Sequence, residues 1–286
     1  MRVANIVIAH TNPTQVCKLV NQFPADLFHN YVHIDARQHL KAYSSLLKQR
    51  NVTLLANRRK LVWAGYGFVQ VTLDALNLIK KSKSEFCYIN LLSGMDFPIK
   101  PVEKFHQYLA KEYSSEQNEF FEILSLDIWP GAHRFERYHL CDWTIKGRYF
   151  TERIINKVIP KRKFYNGKMI PFGRSAWFTA TDQFIKYAVE FIDRNPDFIK
   201  FLKTTWSPDE FIWNTLIMNS PFQRRVHAGN LRYIDWSEGK VSPKVFTQED
   251  LSTLLNVPDF LARKFDERID NIILQQLEQK NRSQQR

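Results

Sequence analysis

The chain opens on a short apolar run rich in β-branched residues, Val3 to Ala9, which stops at His10-Thr11-Asn12-Pro13. Such a run predicts a strand buried on both faces, followed by a turn. Pro13 then begins a helical stretch with apolar positions at Val16, Leu19, Val20 and Phe23. Asn30 to Ile34 predicts a second strand ending at Asp35, Leu40 to Leu47 a short helix, and Val52 to Leu55 a third strand. From Phe68 to Ile79 the apolar residues Val69, Leu73, Leu76 and Ile79 follow a helical period, and Phe86 to Leu92 is again a buried strand. Strands alternating with helices in this way predict an α/β fold with a mostly parallel sheet. Ligands of such folds sit at the carboxyl ends of the strands. The residues there are His10, Asp35 and Ser93-Gly94-Met95-Asp96.

The second half is less regular. Phe120 to Leu126 and Ala176 to Ala180 read as strands, and Asp182 to Ile192 as a helix. Trp129 to Tyr149 is aromatic, basic and irregular, and Ile154 to Lys168 carries Lys157, Lys161, Arg162, Lys163 and Lys168. Ser207-Pro208-Asp209-Glu210 has the order of a helix start: serine as N-cap, proline in the first turn, then two acids favoured by the helix dipole. That helix continues through Phe211, Thr215, Leu216 and Met218. Leu231 to Trp236 predicts a strand, and Asp250 to Leu255 and Pro258 to Glu278 predict helices. With no repeat, low-complexity linker or clear boundary, residues 1–286 are expected to form a single domain.

Composition narrows this picture. A chain of 286 residues, 44% hydrophobic, is long enough for a full core, and only Gln279 to Arg286 is polar enough to suggest disorder. The net charge of +12 suits a polyanion, an anionic membrane surface or a phosphorylated ligand, or simply a soluble surface. No DNA- or RNA-binding module accompanies it. Cys17, Cys87 and Cys141 form neither a disulfide framework nor a CxxC pair, so a reducing compartment is expected; Cys87 reads as a small core residue. The start of the chain has no signal-peptide pattern, and no stretch approaches the roughly 18 apolar residues of a membrane span. Scattered histidines, no HExxH and no Asp-x-Asp after a strand give no indication of a metal. Neither GxGxxG nor GxxxxGK[ST] occurs.

Several residues are suited to chemistry, although each also serves an ordinary structural purpose. Glu210 is flanked by Trp206 and Trp213, whose indoles would desolvate a carboxylate and raise its pKa toward that of a general base; the same acids also simply complement a helix dipole. Asp35 stands where an acid of an α/β fold contacts a ribose or base, or merely closes a turn. Asp96 can bond the backbone of its own turn. Lys240, Lys244, Arg263 and Lys264 lie near predicted strand and helix ends, as ligands of an anion or as surface charges.

The segments IVIAHTNP, NYVHIDAR, VWAGYGFVQ, YINLLSGMDFPIKP, WSPDEFIWNTL, LRYIDWSEG and ARKFD occur in this order. Together they resemble the core-2/I-branching β-1,6-N-acetylglucosaminyltransferases and peptide O-xylosyltransferases (glycosyltransferase family 14), over about residues 2–270. The resemblance implies a GT-A fold, with a Rossmann-like nucleotide-sugar half over about 1–125 and an acceptor and catalytic half over about 126–280. It implies an inverting transfer from a UDP-sugar, N-acetylglucosamine or xylose, to a hydroxyl of a glycan or lipid-linked acceptor, without a metal. Glu210 matches the family's base. His10, Asp35, Trp63, Gly65, Ser93, Gly94, Asp96, Ser175 and Trp177 match its nucleotide-sugar segments, and Arg137 and Trp236 its acceptor segments. Lys264 matches one of two diphosphate cations. Lys244 is expected as the other, with Arg263 as a rival, and lysine would lack the bidentate contacts of arginine. The animal members carry an anchor, a stem and disulfides. This chain departs from them, beginning at its first strand with few cysteines, so a cytoplasmic, bacterial member is expected, with a basic patch at Lys161, Arg162 and Lys163 to hold it near anionic lipid or a lipid-linked acceptor. The competing readings are a catalytically silent carbohydrate- or nucleotide-binding protein of the same fold, and a nucleic-acid-binding protein suggested by charge alone.

Overall fold

Every residue of the opening apolar run is buried, and in the computed structural model, which describes residues 1–82 and 84–283, that run forms strand β1 (Val3–Ala9). The other strands are β2 (Phe28–Ile34), β3 (Val52–Leu54), β4 (Tyr88–Ser93), β5 (Asp96–Pro98), β6 (Glu119–Ser125), β7 (Phe172–Thr181), β8 (Val226–Ala228), β9 (Arg232–Ile234) and β10 (Leu261–Arg263). The α-helices are α1 (Pro13–Asn21), α2 (Gly67–Lys81), α3 (Val102–Ser114), α4 (His133–Glu136), α5 (Arg148–Val158), α6 (Asp182–Arg194), α7 (Pro196–Leu202), α8 (Asp209–Met218), α9 (Leu251–Asn256) and α10 (Ile272–Ser283). The chain forms two compact units, one of Met1–Arg58, Ser84–Gln117 and Asn230–Arg286, the other of Arg59–Lys83 and Asn118–Gly229.

In the first unit the strands run β3-β2-β1-β4, every neighbouring pair parallel. Parallel strands need helices over their faces, and α1 supplies a face of Gln15, Val16, Leu19 and Val20, all buried. A polar ladder crosses this apolar sheet. Asn5 donates to Asn30 at 2.9 Å and accepts from Asn90 at 3.1 Å, from register positions directly opposite one another. All three amides are fully buried, so each depends on the others for its hydrogen bonds. A small second sheet, β5-β10-β9, completes the unit.

The second unit holds β7-β6-β8, with β6 antiparallel to β7 and parallel to β8. Pairing of β6 with β7 passes from Phe121↔Phe178 to Ile123↔Arg174, a bulge that loops out part of 175–177. Helix α8 is buried on every side from Phe211 to Ile217, as a central helix must be. It is tied to β7 by Thr215, whose hydroxyl accepts from the Phe172 N–H at 3.1 Å and donates to the Phe172 carbonyl at 2.9 Å.

The α/β class with mostly parallel strands is as expected, and several local expectations are corrected. Pro258 to Glu278 is not one helix: Leu261–Arg263 is β10, and helix resumes only at Ile272. Leu40 to Leu47 forms two 3₁₀ turns, Leu40–Tyr43 and Leu46–Lys48. Residues 279–283 are helical, not disordered, because Asn281 is buried and donates to the Pro98 carbonyl at 3.1 Å; 284–286 lie outside the described residues. Ser207 does not cap α8: its φ is +47°, and Pro208 takes the cap position without a side-chain bond. Cys87 is half-buried rather than a core residue. Among the described residues, no helix is long and apolar enough to cross a membrane.

Candidate active site

Because β2, β1 and β4 are adjacent and parallel, the residues that follow them meet at one sheet end of the first unit. Asp35 N–H donates to the Ala9 carbonyl at 2.8 Å, and Gly94 N–H to the Ile8 carbonyl at 2.9 Å. A Cβ at Gly94 would stand 2.9 Å from Val16 and 3.4 Å from the Ala9 backbone, so the close approach requires glycine. Ser93 Oγ accepts from the Met95 N–H at 3.1 Å, which fixes the turn. Asp35 is fully buried, and Arg37 donates to it from the backbone and bidentately from the guanidinium, at 2.8–2.9 Å. His10 stands at the same end. Although His10 is exposed, partial desolvation and next the charge of Lys264 lower its pKa, against the opposing charge of Asp35.

Asp96 is fully buried and accepts from the Ser93 N–H at 3.2 Å. Arg232 pairs with it at 3.0 Å and Arg263 at 3.6 Å. Arg232 also donates to Asn90 at 3.3 Å, so the asparagine ladder ends on this cluster. Two guanidinium groups thus approach one carboxylate and bring two positive charges to this cluster. Lys264 adds to it: burial and then Arg263 lower its pKa, and its amine has no ion-pair partner among the described residues. The acid two positions on, Asp266, is already taken by Arg268 at 2.7 Å and Asn12 at 2.8 Å, and its pKa is pulled down to about 2, chiefly by the Arg268 hydrogen bond. Gln15 holds this loop to α1, donating to the Phe265 carbonyl at 3.0 Å and accepting from the Glu267 N–H at 2.8 Å. Lys244, by contrast, is committed to Asp250 at 2.6 Å, although its carbonyl accepts from the Lys264 N–H at 3.4 Å. Trp236 is 42% exposed in the segment that leads to Lys244.

In the second unit, Glu210 lies in the first turn of α8. Arg134 donates to its carboxylate through a short charge-assisted bond. The guanidinium of Arg134 lies between the Trp129 ring, 4.8 Å away, and the Trp206 ring, 5.0 Å away. Burial raises the pKa of Glu210, and the charge and hydrogen bond of Arg134, with the charge of Arg174, oppose that rise without cancelling it. Next to it, Asp209 is pushed up to about 7, first by burial and then by the charge of Glu210, and its Oδ1 is buried without a hydrogen-bond partner. The two adjacent carboxylates are therefore both raised by burial and titrate as a coupled pair, with Arg134 acting on each.

Trp63, 65% exposed, meets Trp206 edge-on at 5.3 Å, and Ala64, at φ +60°, accepts from the Ser207 N–H at 2.9 Å. A Cβ on Gly65 would fall 2.3 Å from Asp142 Oδ1, whose partner oxygen accepts from the Tyr66 N–H at 2.8 Å. Ser175 sits on the β7 bulge, its carbonyl accepting from Asn214 of α8 at 2.9 Å; its hydroxyl accepts from the Trp177 N–H at 3.3 Å. Arg137 lines an open pocket of about 430 Å³ with His139, Tyr149, Glu152, Arg153, Asn156 and Lys157.

The expected residues therefore fall into two groups. His10, Asp35, Ser93, Gly94, Asp96 and Lys264 gather in the first unit, and Trp63, Gly65, Ser175 and Glu210 gather around the start of α8 in the second. Arg134, Arg232 and Asp209 were not singled out from the sequence. Arg134 lies three positions before Arg137 in the same aromatic segment, and no local pattern distinguishes the two. Among the described residues, no cluster of three or more His, Cys, Asp or Glu side chains is arranged to hold a metal ion.

A family model described as Core-2/I-Branching enzyme matches residues 3–255. The chain is 24% identical over 279 residues to a human probable beta-1,3-galactosyl-O-glycosyl-glycoprotein beta-1,6-N-acetylglucosaminyltransferase 7, covering 88% of this chain and 61% of that protein. It is 24% identical over 302 residues to the xylosyltransferase oxt of Drosophila pseudoobscura pseudoobscura, covering 93% of this chain and 31% of that one. Among solved structures, mouse xyloside xylosyltransferase 1 in its apo form superposes with a TM-score of 0.40 at 7% identity, covering 91% of this chain and 97% of that one. The chain thus spans less than two thirds of the length of the curated relatives named.

Proposed function

Because the chain belongs to the core-2/I-branching enzyme family, we propose that it is an inverting, metal-independent GT-A glycosyltransferase with Glu210 as general base. The donor is a UDP-sugar carrying N-acetylglucosamine or xylose, and the acceptor a hydroxyl of a glycan or glycoconjugate. The observation that carries the proposal is Glu210 itself: a carboxylate in the first turn of a buried helix, its pKa raised by desolvation, and bonded by Arg134, whose guanidinium lies over two tryptophan rings.

The chemistry asks for two things. A sugar hydroxyl is a weak nucleophile at neutral pH, so its proton must pass to a base as its oxygen bonds to the anomeric carbon. Glu210 takes that proton. As the bond from the anomeric carbon to the phosphate oxygen breaks, UDP leaves with its electron pair and needs fixed positive charge. Lys264, beside the Arg232–Asp96–Arg263 cluster and without an ion-pair partner among the described residues, supplies it. Lys244 already neutralises Asp250, which favours Arg263 over Lys244 as the neighbouring positive charge. Asp35 and His10 border the donor, and the lowered pKa of His10 favours a hydrogen-bonding role for its imidazole. One displacement inverts the anomeric centre and leaves no covalent enzyme intermediate.

Titration calorimetry with UDP, UDP-N-acetylglucosamine and UDP-xylose in EDTA, followed by NMR of the product anomer, tests the proposal. Donor binding that persists in EDTA, and a β-linked product from an α-linked donor, are expected. Binding that requires a divalent cation, or an α-linked product, overturns the mechanism.

A further inference from the structure

The geometry points to helix α5 as a surface that lies on an anionic lipid bilayer. No residue of α5 is buried, yet it carries large apolar side chains: Phe150 is 70% exposed, Ile154 46% and Val158 76%. These three are four positions apart and so form one row along the helix. Arg153 and Lys157 form a second row beside it, and neither has an ion-pair partner among the described residues. The opposite face is the one fixed to the protein. Glu152 accepts from the Leu140 N–H at 2.9 Å and pairs with His139 at 3.3 Å, while Asn156 exchanges two hydrogen bonds with the Tyr138 backbone, at 2.8 and 2.7 Å. Rotation of the helix is thereby set: Glu152, its only acid, faces the protein, Phe150, Ile154 and Val158 face outward, and Arg153 and Lys157 stand between the two faces at the rim of the pocket.

The flanks continue the pattern. Trp143 is 49% exposed and Ile145 58%, just before the helix, and Ile159 is 42% exposed just after it. Large exposed apolar side chains concentrated in one segment mark a contact site rather than a neutral surface. Its chemistry selects among partners. An apolar row bordered by cations matches an interfacial helix, whose apolar side enters the acyl boundary while its basic side meets lipid phosphates. A nucleic-acid backbone would use the cations and leave the Phe150–Ile154–Val158 row in water. The basic patch expected at Lys161, Arg162 and Lys163 moves accordingly: Arg162 is turned into the protein, donating to the Phe135 carbonyl at 2.6 Å and to the Thr204 hydroxyl at 2.7 Å. Burial lowers its pKa to about 10. The lipid-facing cations are instead Arg153 and Lys157, which line the open pocket together with Arg137.

Co-sedimentation of the full chain with vesicles tests this independently of any sugar transfer. Vesicles containing phosphatidylglycerol should bind, those of phosphatidylcholine alone should bind far more weakly, and high salt should reduce the difference. Replacing Arg153 and Lys157 together by glutamine should weaken binding about 25-fold, at about fivefold per charge near an anionic surface. The triple change Phe150→Ser, Ile154→Ser, Val158→Ser should remove the binding that survives high salt. Since all five positions are exposed, circular dichroism should be unchanged. Failure of wild type to sediment with anionic vesicles overturns the inference, as does equal binding by both variants and wild type. Retention on heparin without vesicle binding assigns the cations to a soluble polyanion and equally overturns it.

Discussion

Replacing Arg134 by glutamine removes a cation bonded to Glu210 while keeping a polar side chain beside Trp129 and Trp206. An opposite charge at hydrogen-bond distance favours an ionised carboxylate by about 1.4–4 kcal/mol. Both side chains retain some water, 20% exposed for Arg134 and 31% for Glu210, so screening places the effect near the lower bound. About 1.4 kcal/mol is a tenfold change in the ratio of ionised to protonated Glu210. The sign follows from the direction of the shift. Burial already raises the pKa of Glu210, and losing Arg134 raises it further. A base works only when deprotonated, so the acidic limb of the pH–rate profile should move to higher pH. At a pH on that limb, kcat should fall about tenfold, with most of the loss recovered at alkaline pH. Arg134→Lys keeps the charge and should leave the limb nearly in place, separating electrostatics from stacking. The assay is UDP release coupled to transfer across a pH series. An acidic limb unmoved in Arg134→Gln would refute the argument that this arginine sets the ionisation of Glu210.

Other consequences are equally accessible. Lys264→Met removes a charge-assisted contact worth about 1.5–3 kcal/mol, so UDP should bind about 10- to 100-fold more weakly by calorimetry; unchanged affinity would take Lys264 out of the donor site. Glu119 is fully buried, bonded by Thr181, and pushed up to about 7 by burial, so the fold holds its proton where the unfolded chain releases it. Stability from this group is therefore lost as pH rises from about 4.5 to 7, by about 3 kcal/mol, and Tm should fall less over that range in Glu119→Gln than in wild type. Gly65→Ala places a Cβ 2.3 Å from Asp142, and the forced shift should cost about 1–3 kcal/mol and lower Tm by several degrees; an unchanged Tm would contradict the close packing described for that turn.

The elements legible in the sequence are those whose burial is complete or whose period is clean. Strand β1 coincides with its apolar run, and α2 with the spacing of Val69, Leu73 and Leu76, because these residues report their surroundings directly. Short elements defined by pairing were not legible. Leu261–Arg263 becomes a strand only because β5 and β9 lie on either side of it, and the neighbouring Phe260, Leu261 and Phe265 equally suit a helix face. In the same way, the sequence marks Glu210 through the helix start but hides Arg134, whose role depends on a contact spanning 76 positions. The asparagine ladder is likewise invisible until β2, β1 and β4 are aligned: isolated asparagines within apolar runs look like blemishes, whereas aligned they satisfy one another and anchor Arg232.

The most direct test compares wild type with Glu210→Gln in transfer from the preferred UDP-sugar, with donor affinity measured on the same preparations. Glutamine preserves size and hydrogen bonding but accepts no proton, so turnover should drop about 10²- to 10⁴-fold while UDP-sugar affinity stays within a few-fold of wild type. Comparable turnover in the two proteins would contradict proton removal by Glu210, whatever the donor proves to be.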